Sequence, residues 1–126
     1  AQKFLPEIQF GDKRVLLIDG EPIPFALARI PPKGEVRGNL AAGGKGVAMA
    51  LSAEELKIAS AVGAKASKNG LFLVGLDIIG SRLTEINVTC PTCMREIAEQ
   101  TECNVANVVI TALERNHANP REYRAT

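Results

Sequence analysis

Apolar residues recur along this chain in two rhythms, a period of two and a period of about 3.6, and the changes between them mark out the elements. Arg14–Ile18 (RVLLI) and Glu21–Ile30 read as strands joined by Asp19-Gly20, a pair suited to a two-residue hairpin turn. Pro22 and Pro24 lack a backbone donor, so the first half of the second strand is expected at a sheet edge or in a bulge. Ala1–Pro6 alternates like a further strand, and Gly11-Asp12 supplies the turn after it. Leu71–Ile79 is an apolar, β-favouring run with one acid inside it, Asp77. Leu83–Thr89 alternates, placing Leu83, Glu85 and Asn87 on one face and Thr84, Ile86 and Val88 on the other.

The helical rhythm is clearest over Leu51–Gly70. Ser52 and Glu55 form a capping box, with Leu51 and Leu56 at the positions of a hydrophobic staple. Lys65 and Lys68 lie in the last turn and Gly70 ends it. The stripe Leu56, Ala59, Val62 and Ala66 is small, which predicts close packing on a sheet. A second helix is expected from Pro91 or Thr92 to about Gln100, its free N–H groups offering a place for a carboxylate or phosphate. Asn104 caps a third, Val105–Asn116, with Val105, Val108, Val109, Ala112 and Leu113 on one face. These elements predict an α+β fold over residues 1–116, a mostly antiparallel sheet with helices packed on one side, followed by a polar tail, 117–126. His117, the only histidine, reads as a solvated residue past a helix end.

Asp77 is a charge within an otherwise buried strand, which is costly unless the charge is paired or bound to a metal. A two-residue turn, Gly80-Ser81, pairs it with Thr84. A three-residue turn, Gly80-Ser81-Arg82, pairs it with Glu85, and this register is the one adopted here. Opposed carboxylates repel unless something cationic lies between them. With Asn87 on the same face, three oxygen donors suit a hard cation, Mg²⁺ or alternatively Mn²⁺, beside phosphates. The plainer reading is an ordinary hairpin with its acids on a solvated face.

Pro31–Gly46 holds five glycines and two prolines in sixteen residues. It reads either as a linker or as a mobile flap over an anionic substrate, using Arg37, Asn39 and glycine N–H groups. No GxxxxGK[ST] or GxGxxG pattern occurs. Cys90-Pro91-Thr92-Cys93 is a CxxC between strand and helix, which admits a redox pair or half of a zinc site, although neither a βαβ context nor a second metal-binding pair accompanies it. Cys103 reads as a packing residue.

Composition narrows the classes. A length of 126 residues with 46% hydrophobic content fits one globular domain with its own core. A net charge of +1, one Tyr and no Trp argue against a dedicated nucleic-acid binder. No apolar run reaches membrane-spanning length and no signal peptide is visible. Three cysteines make no disulfide framework, so a reducing cytoplasm is expected.

The segments GDKRVLLIDGEPIPFALARIP, RGNLAAGGKG and VGLDIIGSRLTEINVTCPTCMREI closely resemble the C-terminal ATP-grasp portion of the bacterial glutathione synthetase family, from about Ala1 to about Arg115. The resemblance implies an ATP-dependent ligase joining γ-glutamylcysteine to glycine through an acyl phosphate, with another ATP-grasp ligase of different substrates as the alternative. By match, Asp77, Glu85 and Asn87 hold the Mg²⁺ ions that bridge the ATP phosphates. Gln2, Lys3, Phe4 and Leu5 form a hinge strand against adenine, and Asp12 lies near the ribose. Arg14 and Arg29 face the transferred phosphate, and Arg37, Gly38, Asn39, Gly43 and Gly44 belong to the flap. Asn87 through Thr92, with Thr89, Cys90, Pro91 and Thr92, line the peptide-substrate end. Cys90 departs from the family's serine, a poorer hydrogen-bonding partner in its place. Chains of the family extend well upstream of Ala1, so the resemblance implies an N-terminal part absent here and no glutathione synthesis by this chain alone. Small-molecule substrates and a homo-oligomer are the partners expected, with neither nucleic acid nor membrane.

Overall fold

The structure, a computed structural model, describes residues 3–35, 40 and 43–120. A 3₁₀ turn, Pro6–Phe10, leads into strands β1 (Asp12–Ile18) and β2 (Glu21–Ile30). Strand β3 (Lys45–Ala50), helix α1 (Ala53–Lys68) and strands β4 (Leu73–Ile79) and β5 (Arg82–Asn87) follow, then helices α2 (Met94–Gln100) and α3 (Val105–Ala118). The strands form one antiparallel sheet in the order β3-β2-β1-β4-β5.

Local chemistry accounts for most of these boundaries. Asp19 (φ 54°) and Gly20 (φ 85°) both adopt the left-handed conformation that a two-residue hairpin turn demands. Both expectations for Pro22 and Pro24 hold. β3 pairs only with Phe25–Ile30, leaving the proline-bearing half of β2 at an edge, and the β1–β2 register shifts between Val15 and Leu17. In α1, the Ser52 hydroxyl accepts from Glu55 N (3.2 Å) while the Glu55 carboxylate accepts from Ser52 N (2.9 Å). The Asn104 side chain likewise accepts from Asn107 N (3.0 Å) at the start of α3.

Strand alternation divides the core into two layers. Val15, Leu17, Ala26, Val74, Leu76 and Ile78 point to one face, where Ala59 and Ala66 of α1 cover them. Leu16, Ile18, Ile23 and Leu27 point to the other, against Cys93, Ile97 of α2, and Val105 and Ala112 of α3. The α+β class and the antiparallel sheet are as expected, but the helices divide between the faces instead of sharing one. The reason is that β1 and β4 are apolar on both sides, so each face needs cover.

Other expectations are corrected. Lys3, Phe4 and Leu5 form no strand, and the 3₁₀ turn follows them; Pro6 cannot donate to a ladder, while its fixed φ suits a helical first turn. Leu56 is largely exposed, and Ile58 packs inward with Ala59 and Val62. Helix α2 begins at Met94, because Cys93 sits at φ 86° and breaks the helical path; seven residues are too few for the anion-binding terminus expected there. On α3, Val105 and Ala112 are buried while Val108 and Leu113 are exposed. Two ion pairs tie helices to the sheet: Lys13 Nζ to the buried Glu55 (2.6 Å), and Arg115 to Asp19 in the hairpin turn (3.2 Å). Among the described residues, no helix is long and apolar enough to cross a membrane.

Candidate functional site

The turn between β4 and β5 contains two residues, Gly80 and Ser81, with Ile79 opposite Arg82 and Ile78 opposite Leu83. This corrects the expected three-residue turn. Asp77 nevertheless faces Glu85, because the register shifts between Asp77 and Ile78 and leaves Thr84 as the extra residue of a bulge. The Thr84 hydroxyl donates to the Asp77 carbonyl (3.1 Å), fixing that bulge. The strict alternation expected of β5 is thereby broken. Leu83 pairs with Ile78 and Ile86 with Leu76, on the α1 face, while Glu85 and Asn87 pair with Asp77 and Gly75, on the other.

Asp77 is buried and its charge is met by two arginines. Arg14, directly across on β1, donates from Nε to Oδ1 (2.5 Å) and from Nη2 to Oδ2 (3.0 Å), a bidentate pair. Arg29 Nη2 lies 2.8 Å from Asp77 Oδ2. Arg29 itself is paired across the β1–β2 ladder with Asp12, through Nε to Oδ1 (2.9 Å) and Nη2 to Oδ2. Burial opposes the charge on Asp77, but its contacts with Arg14 and Arg29 outweigh that and hold its carboxyl below the usual carboxylate range. Burial also opposes the Arg29 charge, and Asp12 and Asp77 more than restore it, raising its pKa. Two Asp and two Arg thus form one charge-balanced row across three strands.

Oxygen donors and guanidinium groups share this face, so it can meet both a cation and an anion. An ionised carboxylate offers about four lone-pair sites. Asp77 uses three on arginine, leaving room for one more contact. Glu85 is exposed, and Asn87 Oδ1 accepts from Thr89 N (3.1 Å) and Thr89 Oγ1 (3.3 Å). Two carboxylates and an amide are a donor set that fits a hard cation. Among the described residues, no group of three or more His, Cys, Asp or Glu could hold a metal; the set here depends on the amide of Asn87.

The 88–92 segment closes one end of the row. Thr89, Cys90 and Thr92 are exposed, while Pro91 is buried over Gly75. All three cysteines are free. Cys93 is buried, and burial pushes its thiol pKa up.

The structure thus brings Asp12, Arg14, Arg29, Asp77, Glu85 and Asn87 onto one face, with Pro91 at its end. Lys3 and Phe4 are exposed and Leu5 half-buried ahead of the 3₁₀ turn, and Gly43 closes a turn by donating to the Leu40 carbonyl (3.1 Å), with Gly44 half-buried beside it. Gln2, Arg37, Gly38 and Asn39 lie outside the described residues. Sequence reasoning missed Gly75, whose only signal was a glycine amid bulky strand residues. It also missed the arginine partners of Asp77, which only the β1–β4 adjacency creates.

Residues 1–102 match the family model for the prokaryotic glutathione synthetase, ATP-grasp domain. The chain is 59% identical over 114 residues to a glutathione synthetase of Shewanella oneidensis, covering 90% of this chain and 36% of that protein. It is 63% identical over 118 residues to one of Nitrosomonas europaea, covering 94% of this chain and 37% of the relative. A third, from Vibrio parahaemolyticus, is 56% identical over 115 residues, covering 91% and 36%. The chain therefore spans little more than a third of the length of these relatives. A match over that much of the chain, on top of an antiparallel sheet bearing this charged row, shows that it belongs to the prokaryotic glutathione synthetase ATP-grasp family.

Proposed function

We propose that this chain supplies the cation- and phosphate-handling face of an ATP-dependent ligase that joins γ-glutamylcysteine to glycine. The observation that carries the reading is the Asp12–Arg29–Asp77–Arg14 row lying beside Glu85 and Asn87 on one face of the sheet. In this reaction the γ-phosphoryl group of ATP passes to the cysteinyl carboxylate, giving an acyl phosphate and ADP. The glycine amine then attacks the acyl carbon, loses a proton, and phosphate leaves.

Negative charge builds on phosphoryl oxygens throughout. Arg14 and Arg29 are held in place by Asp77 and Asp12 and still have N–H donors to spare, so they meet that charge without reorganising. Asp77, Glu85 and Asn87 would hold a divalent cation, Mg²⁺ or Mn²⁺, which when bound neutralises phosphate charge. Thr89, Cys90, Pro91 and Thr92 line the peptide end, with Cys90 exposed where it can face substrate. Gln2, Lys3, Phe4 and Leu5 are assigned to the adenine side and Asp12 to the ribose side. Arg37, Gly38 and Asn39, outside the described residues, are assigned with Gly43 and Gly44 to a flap that would protect an acyl phosphate from water. The remaining length seen in the relatives supplies the rest of the nucleotide site, and the enzyme is a cytoplasmic homo-oligomer.

The test is ADP release by the full-length protein with γ-glutamylcysteine and glycine. Replacing Asp77 with Asn, or Arg14 with Lys, is expected to lower kcat by at least about a hundredfold. A near-parental kcat in either variant overturns the reading.

A further inference from the structure

Gly75 lies on the charged face, between Leu16 of β1 and Asn87 of β5 and two residues before Asp77. It is buried within a strand whose other residues are mostly large and apolar. A Cβ at this position would stand 2.7 Å from Pro91 Cβ, 3.2 Å from Arg14 Cδ and 3.4 Å from Arg14 Nε. Real Cβ atoms essentially never come as close as the first of these, and the second requires the arginine stem to give way. The missing side chain thus accommodates two things at once. Pro91 rests on the strand there, and the Arg14 stem passes alongside it on the way to Asp77.

We propose that Gly75 is a positioning residue for the ligase reaction, setting the height of the 88–92 segment and the placement of the Arg14 guanidinium with one contact. The inference rests on the ligase reading above and extends it. A side chain at 75 pushes Pro91 off the sheet and carries Thr89 and Cys90 with it. It also displaces the guanidinium that pairs with Asp77 and, in the ligase, meets phosphate. The peptide end of the site and its phosphate centre therefore cannot move independently. Geometry of this kind is felt strongly in rate, since a misplacement of about 1 Å can cost about a hundredfold. Cys93, two residues beyond Pro91 and only 3% exposed, reports the same movement, because lifting the segment uncovers its thiol.

The experiment replaces Gly75 with Ala in the full-length protein and measures kcat, the KM for each substrate, and the rate of maleimide labelling at Cys93 by peptide mapping. Expected are a drop in kcat of about tenfold or more, a KM rise larger for γ-glutamylcysteine than for ATP, and faster Cys93 labelling. Adding Pro91→Gly removes the closest of the three contacts, so in a Pro91→Gly background Gly75→Ala is expected to cost less kcat, and to speed labelling less, than it does in the parental protein. Parental kcat, KM and labelling in Gly75→Ala overturn the proposal. So do effects of Gly75→Ala that are the same with and without Pro91→Gly, which mark a general structural defect. If Gly75→Ala speeds labelling while Asp77→Asn leaves turnover intact, the contact stands and the ligase reading fails.

Discussion

The two faces of this sheet are made from alternate residues of the same strands, and they have opposite characters. Toward α1, β1 and β4 present Val15, Leu17, Val74, Leu76 and Ile78, closed by small helix residues. Toward α2 and α3, the same strands carry Arg14 and Asp77 side by side at one end and are apolar toward the other, at Leu16, Ile18 and Leu73. The first face is held by dispersion and burial, which tolerate modest changes of shape. The second is held at its charged end by groups that must match one for one, since removing one member leaves the others buried without balance. On the proposed ligase reading, stability and chemistry are therefore separable by face, and substitutions on each side can break that division.

The largest effect is expected at the paired acids. Asp77→Asn leaves Arg14 and Arg29 short of their shared counter-charge, and breaking a buried pair of this kind costs about 3–5 kcal/mol of stability as well as turnover. Glu85→Gln, on the exposed partner, is expected to lower kcat of the full-length enzyme by at least about a hundredfold while shifting unfolding by less than about 0.5 kcal/mol. Thermal unfolding and ADP release on the two variants, side by side, decide the matter; equal destabilisation by both would end the distinction between them.

Next comes the opposite face. Leu76→Ala, at 0% exposure, should cost about 2–5 kcal/mol of unfolding free energy with kcat nearly unchanged at temperatures where the variant stays folded. A loss of kcat comparable to that of Asp77→Asn would show that the faces are coupled. Smaller still is Gly63→Ala on α1. A Cβ there would lie 2.0 Å from the Gly20 carbonyl oxygen, so the helix must retreat from the hairpin turn. Alanine's better helix propensity, about 1 kcal/mol, offsets part of an overpacking cost of about 1–3 kcal/mol. Because the atom met is backbone and cannot swing aside, denaturant unfolding should show a net loss of about 2 kcal/mol, and a net gain would mean that the turn yields freely.

The smallest effect concerns pH. Burial opposes the Glu55 charge, but the hydrogen bonds from Lys13 and the Ser52 amide outweigh it and hold the carboxyl below its usual range. With the folded pKa below an unfolded value of about 4.3, this contribution is complete above about pH 5 and is lost as pH falls through the folded value. Glu55→Gln should lower stability at pH 7 by about 1 kcal/mol and flatten the acid limb below about pH 4. An unchanged acid limb would assign that limb to other carboxylates.

Much of the helix-covered face could be read from the chain itself. Ser52 and Glu55 announce α1, Asp19-Gly20 announces the hairpin, and Ala59 and Ala66 announce close packing, because each acts over a few residues of sequence. The charged face depends on distant pairings. Asp77 and Glu85 were matched correctly, yet through the wrong turn, because a period of two cannot reveal the extra residue at Thr84. Nothing local to Asp77 indicates that Arg14, 63 positions away, lies directly across from it. The glycines leading into β3 hide it, and Pro6 closes an alternating run that reads as a strand although its ring suits a helical turn.

The bulge at Thr84 has a consequence for any attempt to rebuild this hairpin. It works as a parity switch: residues on the tip side and on the base side keep opposite phase, so Leu83 lies on the α1 side of the sheet while Glu85 lies on the other. Drawing that threonine into regular pairing behind the same two-residue loop would set it opposite Asp77 and move Glu85 opposite Leu76, with its acid turned toward the apolar layer. The loop can be redesigned with some freedom; the triplet Leu83-Thr84-Glu85 has to travel as a unit.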